Sequence, residues 1–202
     1  MAKLFFAVCF MLSLIGFFLL ITFSKENYLY QIFVQVGFVS AALFFIWEGS
    51  IKETFRGLGI PGDLKRIFIW LILGAVLIFV VAVLNAVILL LLDMNDAHKV
   101  YDVMSGVPAW ILVLAVIIAP VTEELFFRAA LVPRIGIVLS SLLFGLFHVS
   151  YGSIAEIIGA FLIGMVLAFV YRKSKSIITP MLLHICFNLV SVVAVLIANG
   201  WL

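Results

Sequence analysis

Seven side chains in the C-terminal half of the chain are of types that could do chemistry together. Glu123, Glu124 and Arg128 stand in "EELFFR", Phe144 and His148 in "FGLFH", and His184 and Asn188 in "HICFN". Each stretch lies in a long apolar run. An ionised group at a bilayer centre costs at least about 2.5–3.5 kcal/mol, so such groups face a bundle interior or a wet cavity. Glu124 and Arg128 are four residues apart, share a helix face and can pair. Glu123 and Arg128 are five apart and point in different directions. Glu123 is therefore left without a sequence-local partner, which suits a general acid or base. His184 with Asn188, and Phe144 with His148, repeat the four-residue spacing. No Ser or Cys beside a matching base supports a covalent route. A plainer reading also stands: a buried Glu–Arg pair that fixes packing, and histidines that hydrogen-bond between helices.

The elements that must position these groups are membrane spans. The chain has 202 residues, 67% of them hydrophobic and 11% charged, with a mean hydropathy of +1.39. Soluble domains are near 45–50% apolar and about 25% charged. The expected fold is an all-α, polytopic transmembrane helix bundle. A span needs about 20 apolar residues. Seven candidates follow, at 4–23, 30–48, 67–92, 108–134, 136–150, 154–171 and 177–198. The fourth is interrupted by Pro120 and closed by Pro133. The first reads as a retained helix, not a cleaved signal peptide.

Lys52, Arg56, Lys65, Arg66, Arg134, Arg172, Lys173 and Lys175 fall in even-numbered loops, and Lys3 agrees with them. The odd loops carry only Lys25 and Lys99. The expected orientation has the even loops and the N-terminus in the cytoplasm. Trp47, Trp70, Trp110 and Trp201 sit near span ends, as an aromatic belt requires. At about 1.5 Å per residue the candidate groups lie roughly 10–17 Å from the inner helix ends. That places one site near mid-membrane, with access expected from the cytoplasmic side. Ala160, Gly164 and Ala168 form a small-residue stripe for close helix packing. Asn85 and Glu156 read as a helix–helix contact and an interfacial charge. Cys9 and Cys186 read as unpaired apolar side chains. A net charge of +2 and the lack of a basic tract exclude nucleic acid as a partner.

The three motifs, in this order and each on a span, resemble those of the CAAX protease and bacteriocin-processing (Abi) family of intramembrane glutamic endopeptidases. That family is related to the type II CAAX prenyl endopeptidase. The resemblance covers roughly residues 105–198, leaving 1–104 as N-terminal transmembrane helices and loops of the same membrane domain. It implies that Glu123 is the catalytic carboxylate and His148 its partner at the attacking water. His184 and Asn188 would bind the scissile carbonyl and its oxyanion, and Glu124, Arg128 and Phe144 would support the site. The implied partners are membrane lipids and a peptide or protein substrate, with or without a lipid. The implied location is a prokaryotic cell membrane. The expected cofactor is none. The alternative is zinc at Glu123, His148 and His184, three ligands with an open position. Two other functions compete: a non-catalytic immunity or regulatory protein of the same family, and a small proton-coupled transporter. The transporter is disfavoured by the lack of paired inverted halves.

Overall fold

The computed structural model describes residues 1–23, 28–94, 96–198 and 200. Lys25 and Trp201 lie outside them. All regular structure among these residues is helical: α1 (Ala2–Phe23), α2 (Tyr30–Ile46), α3 (Ile51–Gly57), α4 (Leu64–Leu91), α5 (His98–Ser105), α6 (Ala109–Val113), α7 (Ala119–Glu123), α8 (Val132–Phe147), α9 (Ile154–Ser174) and α10 (Ile178–Ala198). Two π-helical turns, Leu114–Ile118 and Glu124–Leu131, weld α6, α7 and α8 into one run, and a 3₁₀ turn, His148–Tyr151, follows.

Five segments are long and apolar enough to cross a bilayer, or six if α2 and α3, bent by 89°, count as one span. By length and composition these are fewer than the seven expected spans. The fourth and fifth are counted together in the run Ala109–Tyr151, but the chain turns between them where the sequence divides them. It does not break at either proline. The break is at Gly136, whose φ of 81° lies in the left-handed region, where a side chain would be strained. Beyond it the chain folds back. Ser140 Oγ donates to the carbonyl of Phe127 at 2.6 Å, although 13 residues of straight helix would span about 20 Å.

The π turns have a local cause, because each is followed within two residues by proline. In the first, the Ala119 N–H reaches back five residues to the Leu114 carbonyl. In the second, the Val132 N–H does the same to Phe127. Pro120 and Pro133 supply no N–H and their rings crowd the preceding turn. A widened turn accommodates the ring without ending the helix.

Contacts between loops sort the two ends of the bundle. At one end Arg66 Nε donates to the Lys173 carbonyl (3.0 Å), Arg134 Nη2 to that of Phe45 (2.8 Å), and the Ile177 N–H to that of Leu58 (3.0 Å). Gly59 makes this approach feasible, since a Cβ there would overlap the Lys175 carbonyl. The rings of Phe6 and Trp47 meet nearby at 5.5 Å, bringing the N-terminus to the same end. At the other end Asp96 accepts from the N–H groups of Ile154 (2.6 Å) and Ala155 (3.1 Å) and from Ser153 Oγ (3.1 Å). This caps α9 from a distant loop. The Ile154 N–H is the main reason the Asp96 carboxyl is held below its ordinary pKa. Lys99 Nζ donates to the Gly152 carbonyl beside it (3.1 Å). The even-loop basic residues therefore share one end, as a positive-inside arrangement requires.

The small-residue stripe of α9 packs as expected: a Cβ on Gly164 would meet Phe144 Cδ1 at 3.1 Å and Ser141 Cβ at 3.3 Å. Both cysteines are free.

Candidate active site

The structure gathers the candidate residues around one imidazole, that of His184, which α10 inserts opposite the second π turn. Glu124 is fully buried. Its Oε1 lies 2.9 Å from His184 Nδ1 and its Oε2 3.1 Å from Arg128 Nε. The expected Glu124–Arg128 pairing is present at ion-pair distance, but without hydrogen-bond geometry. Oε2 and both Nη atoms of Arg128 make no hydrogen bond among the described residues. Arg128 is held instead by charge and by the face of Phe144, whose ring centroid lies 4.2 Å from Cζ. Cation–π contact of this kind strengthens when both groups are desolvated. Phe144 also turns toward the rings of His148 (4.8 Å) and His184 (5.6 Å), so it separates the arginine from the imidazoles and packs against all three.

Glu123 differs from its neighbour. Its side chain is 16% exposed, and Oε2 stands 3.8 Å from His184 Nε2, beyond hydrogen-bond range. The two adjacent glutamates therefore address opposite nitrogens of one ring, Glu124 tightly and Glu123 loosely.

Hydrogen-bond chemistry assigns the tautomers of both histidines. A carbonyl only accepts, so His148 Nδ1 must donate to the Phe144 carbonyl, 2.8 Å away. That carbonyl lies in the last turn of α8, where helical partners run out. Likewise His184 Nδ1 donates to the Glu124 carboxylate. In each neutral ring Nε2 is then an acceptor. His184 Nε2 can donate to an oxyanion only once the ring is protonated.

Asn188 is partly committed to structure. Its Nδ2 donates to the Ala115 carbonyl at 2.9 Å. In the π register that carbonyl faces Pro120, which has no N–H to offer, and the amide replaces the missing donor. One N–H of Asn188 remains for another acceptor. A further polar link was not read from the sequence: buried Gln35 of α2 hydrogen-bonds Thr122, the residue before Glu123. Thr122 also reaches the Ala119 carbonyl (3.0 Å). In the bond between Gln35 and Thr122 the Thr122 hydroxyl donates to Gln35 Oε1. The available signal was an amide four residues after another in an otherwise apolar helix. Tyr151, also overlooked, stacks on His148 with centroids 6.1 Å apart.

A cavity of about 150 Å³ adjoins the histidines, lined by His148, His184 and Asn188 together with Asn85, Glu156 and Gly159. Asn85 and Glu156 are thus not only a helix contact and an interfacial charge. The cavity lies in the half of the bundle toward Asp96. Toward the basic end, Leu58, Ala129 and Ile177 are buried in one cluster with Leu125 and Met181 packed on it. Those apolar side chains stand between the site and the basic loops, against the expectation of access from that side. Among the described residues no group of three His, Cys, Asp or Glu is arranged to hold a metal ion.

Residues 105–190 match the family described as type II CAAX prenyl endopeptidase Rce1-like. This part of the chain is similar to that family. All seven candidate residues fall inside the match, and α1 to α4 lie outside it. The apolar helices mark the chain as an integral membrane protein, and its C-terminal half is similar to CAAX-type endopeptidases at family level. No curated protein and no solved structure matches the chain.

Proposed function

We propose that this protein is an intramembrane endopeptidase that hydrolyses a peptide bond with water activated by Glu123. The observation that carries the reading is the contrast between the glutamates. Glu124 is consumed by Arg128 and His184, while Glu123 is accessible and faces a bare imidazole nitrogen. In this mechanism Glu123 takes a proton from water as its oxygen attacks the scissile carbonyl. Nε2 of His148 accepts the water's other proton as a hydrogen bond and orients it. The carbonyl electron pair moves to oxygen, which meets the free N–H of Asn188. The proton on Glu123 passes to His184 Nε2. The resulting imidazolium, held by Glu124, donates to the oxyanion and then protonates the leaving amine. No metal is required. The substrate is a membrane-associated peptide or protein, with or without a lipid, and it reaches the site in the half of the bundle remote from the basic loops. With those loops in the cytoplasm, that is the outer half.

Purified protein in detergent, incubated with a defined synthetic peptide library, tests the reading. Glu123→Gln is expected to lose about 10²–10⁴-fold in turnover, the range of general-base catalysis, with an unchanged thermal midpoint. Wild-type turnover in Glu123→Gln beside a folded but inactive Glu124→Gln would reverse the two roles. One bound zinc per chain, with activity tracking its loss and return, would replace the metal-free route. Absence of any cleavage by wild-type protein would favour the non-catalytic immunity or regulatory reading.

A further inference from the structure

The cavity beside the histidines carries polar groups that the proposed hydrolysis does not use. Glu156, in the first turn of α9, has no ion pair or hydrogen bond from its carboxylate among the described residues, and it lines the cavity. Asn85 of α4 lines it too, and its Oδ1 is buried without a partner. Both residues line the same cavity. The Asn85 amide nitrogen packs on the bare face of Gly159, where a Cβ would stand 2.9 Å from it, and Gly159 is three residues from Glu156 on the same face of α9. Val81, Ile163 and Phe187 supply apolar wall between them and His184.

We propose that this cavity is a side-chain subsite for a lysine residue next to the scissile bond of the substrate. This rests on the endopeptidase reading and adds a substrate class to it. Two acceptors without partners, the Glu156 carboxylate and Asn85 Oδ1, call for a ligand rich in N–H groups. A carboxylate in an apolar wall calls for a cation, because pairing relieves the desolvation of both. An ammonium brings three donors, enough for Glu156, Asn85 Oδ1 and one more acceptor. Size agrees as well. A cavity of about 150 Å³ accommodates benzene, and a lysine side chain has fewer heavy atoms than benzene. Its methylenes lie along the apolar wall while its head reaches the acceptors. An isoprenoid chain is too large for the space and would leave both acceptors unsatisfied.

Two measurements test the proposal. In the first, a positional-scanning peptide library is cleaved by wild-type protein and by Glu156→Gln, and the cut sites are read by mass spectrometry. Wild type is expected to favour lysine over methionine at one position flanking the bond by about tenfold or more, the size of one charge-assisted hydrogen bond. Glu156→Gln is expected to keep cutting and lose that preference. Cleavage with no lysine preference, or an unchanged profile in Glu156→Gln, overturns the subsite and leaves the endopeptidase reading intact. In the second, n-butylammonium chloride, a lysine side-chain mimic, is titrated calorimetrically into wild type, Glu156→Gln and Gly159→Val in the same detergent. Saturable binding by wild type alone is expected. Equal binding by all three, or by none, overturns the proposal even if no peptide is cleaved.

Discussion

Changing Glu124 to Gln is the sharpest perturbation of this site, because the two donors that its carboxylate faces cannot both be satisfied by an amide. Oε1 receives His184 Nδ1 at 2.9 Å and Oε2 faces Arg128 Nε at 3.1 Å, with the carboxylate and guanidinium 0% and 1% exposed. A glutamine offers one oxygen and one NH₂ group, so one donor must face another donor. Arg128 also loses the carboxylate that lies against it, and its Nη atoms already lack hydrogen-bond partners. The face of Phe144 and, farther off, that of Phe127 then remain to hold the charge. Removing one member of a buried pair costs about 3–5 kcal/mol. For a chain of this length each kcal/mol moves the midpoint by about 2–4 °C, which makes a drop of roughly 6–20 °C. Thermal unfolding in detergent, followed by circular dichroism, measures it. Glu124→Gln with Arg128→Met is expected to recover part of the loss, since it removes the orphaned charge while His184 still faces the amide. A single variant within about 2 °C of wild type would refute the reasoning. So would a double variant no more stable than the single.

Asn188→Leu is expected to cost about 1–3 kcal/mol by orphaning the Ala115 carbonyl. Adding Pro120→Ala should restore part of this in thermal melts, because residue 120 then has an N–H to offer. Asp96 is held below its ordinary pKa by the α9 backbone and Ser153, so its stabilisation is complete above the unfolded value of about 3.9 and lost as pH falls through the folded one. The thermal midpoint of wild type should therefore fall more steeply below about pH 4 than that of Asp96→Asn. In a chain lacking Cys9 and Cys186, a cysteine at position 56 should resist an impermeant maleimide added outside cells, and one at position 97 should react. The opposite pattern would turn the bundle over and put the cavity on the cytoplasmic side.

The seven candidate residues were legible because charge is so costly in a bilayer that any ionisable group in an apolar run asks for a reason. Four-residue spacing alone paired Glu124 with Arg128 and separated Glu123 from both, since helix periodicity is a local property. The asymmetry of Lys and Arg among loops likewise told which loops share an end. Other features depended on residues distant in sequence. That Glu124 holds His184, and so assigns its proton, required α10 to lie against the second π turn. The duty of Asn188 required a carbonyl whose partner Pro120 had removed, one helix away. The boundary between the fourth and fifth spans was legible, but the residue that makes the turn was not: Pro120 and Pro133 looked like stronger breaks, whereas a π turn absorbs a proline and the folded-back α8 demands a left-handed residue at Gly136. Glu156 and Asn85 each read as ordinary alone. Their shared cavity exists because Gly159 lets α4 and α9 approach, and no spacing along one helix encodes a space between two.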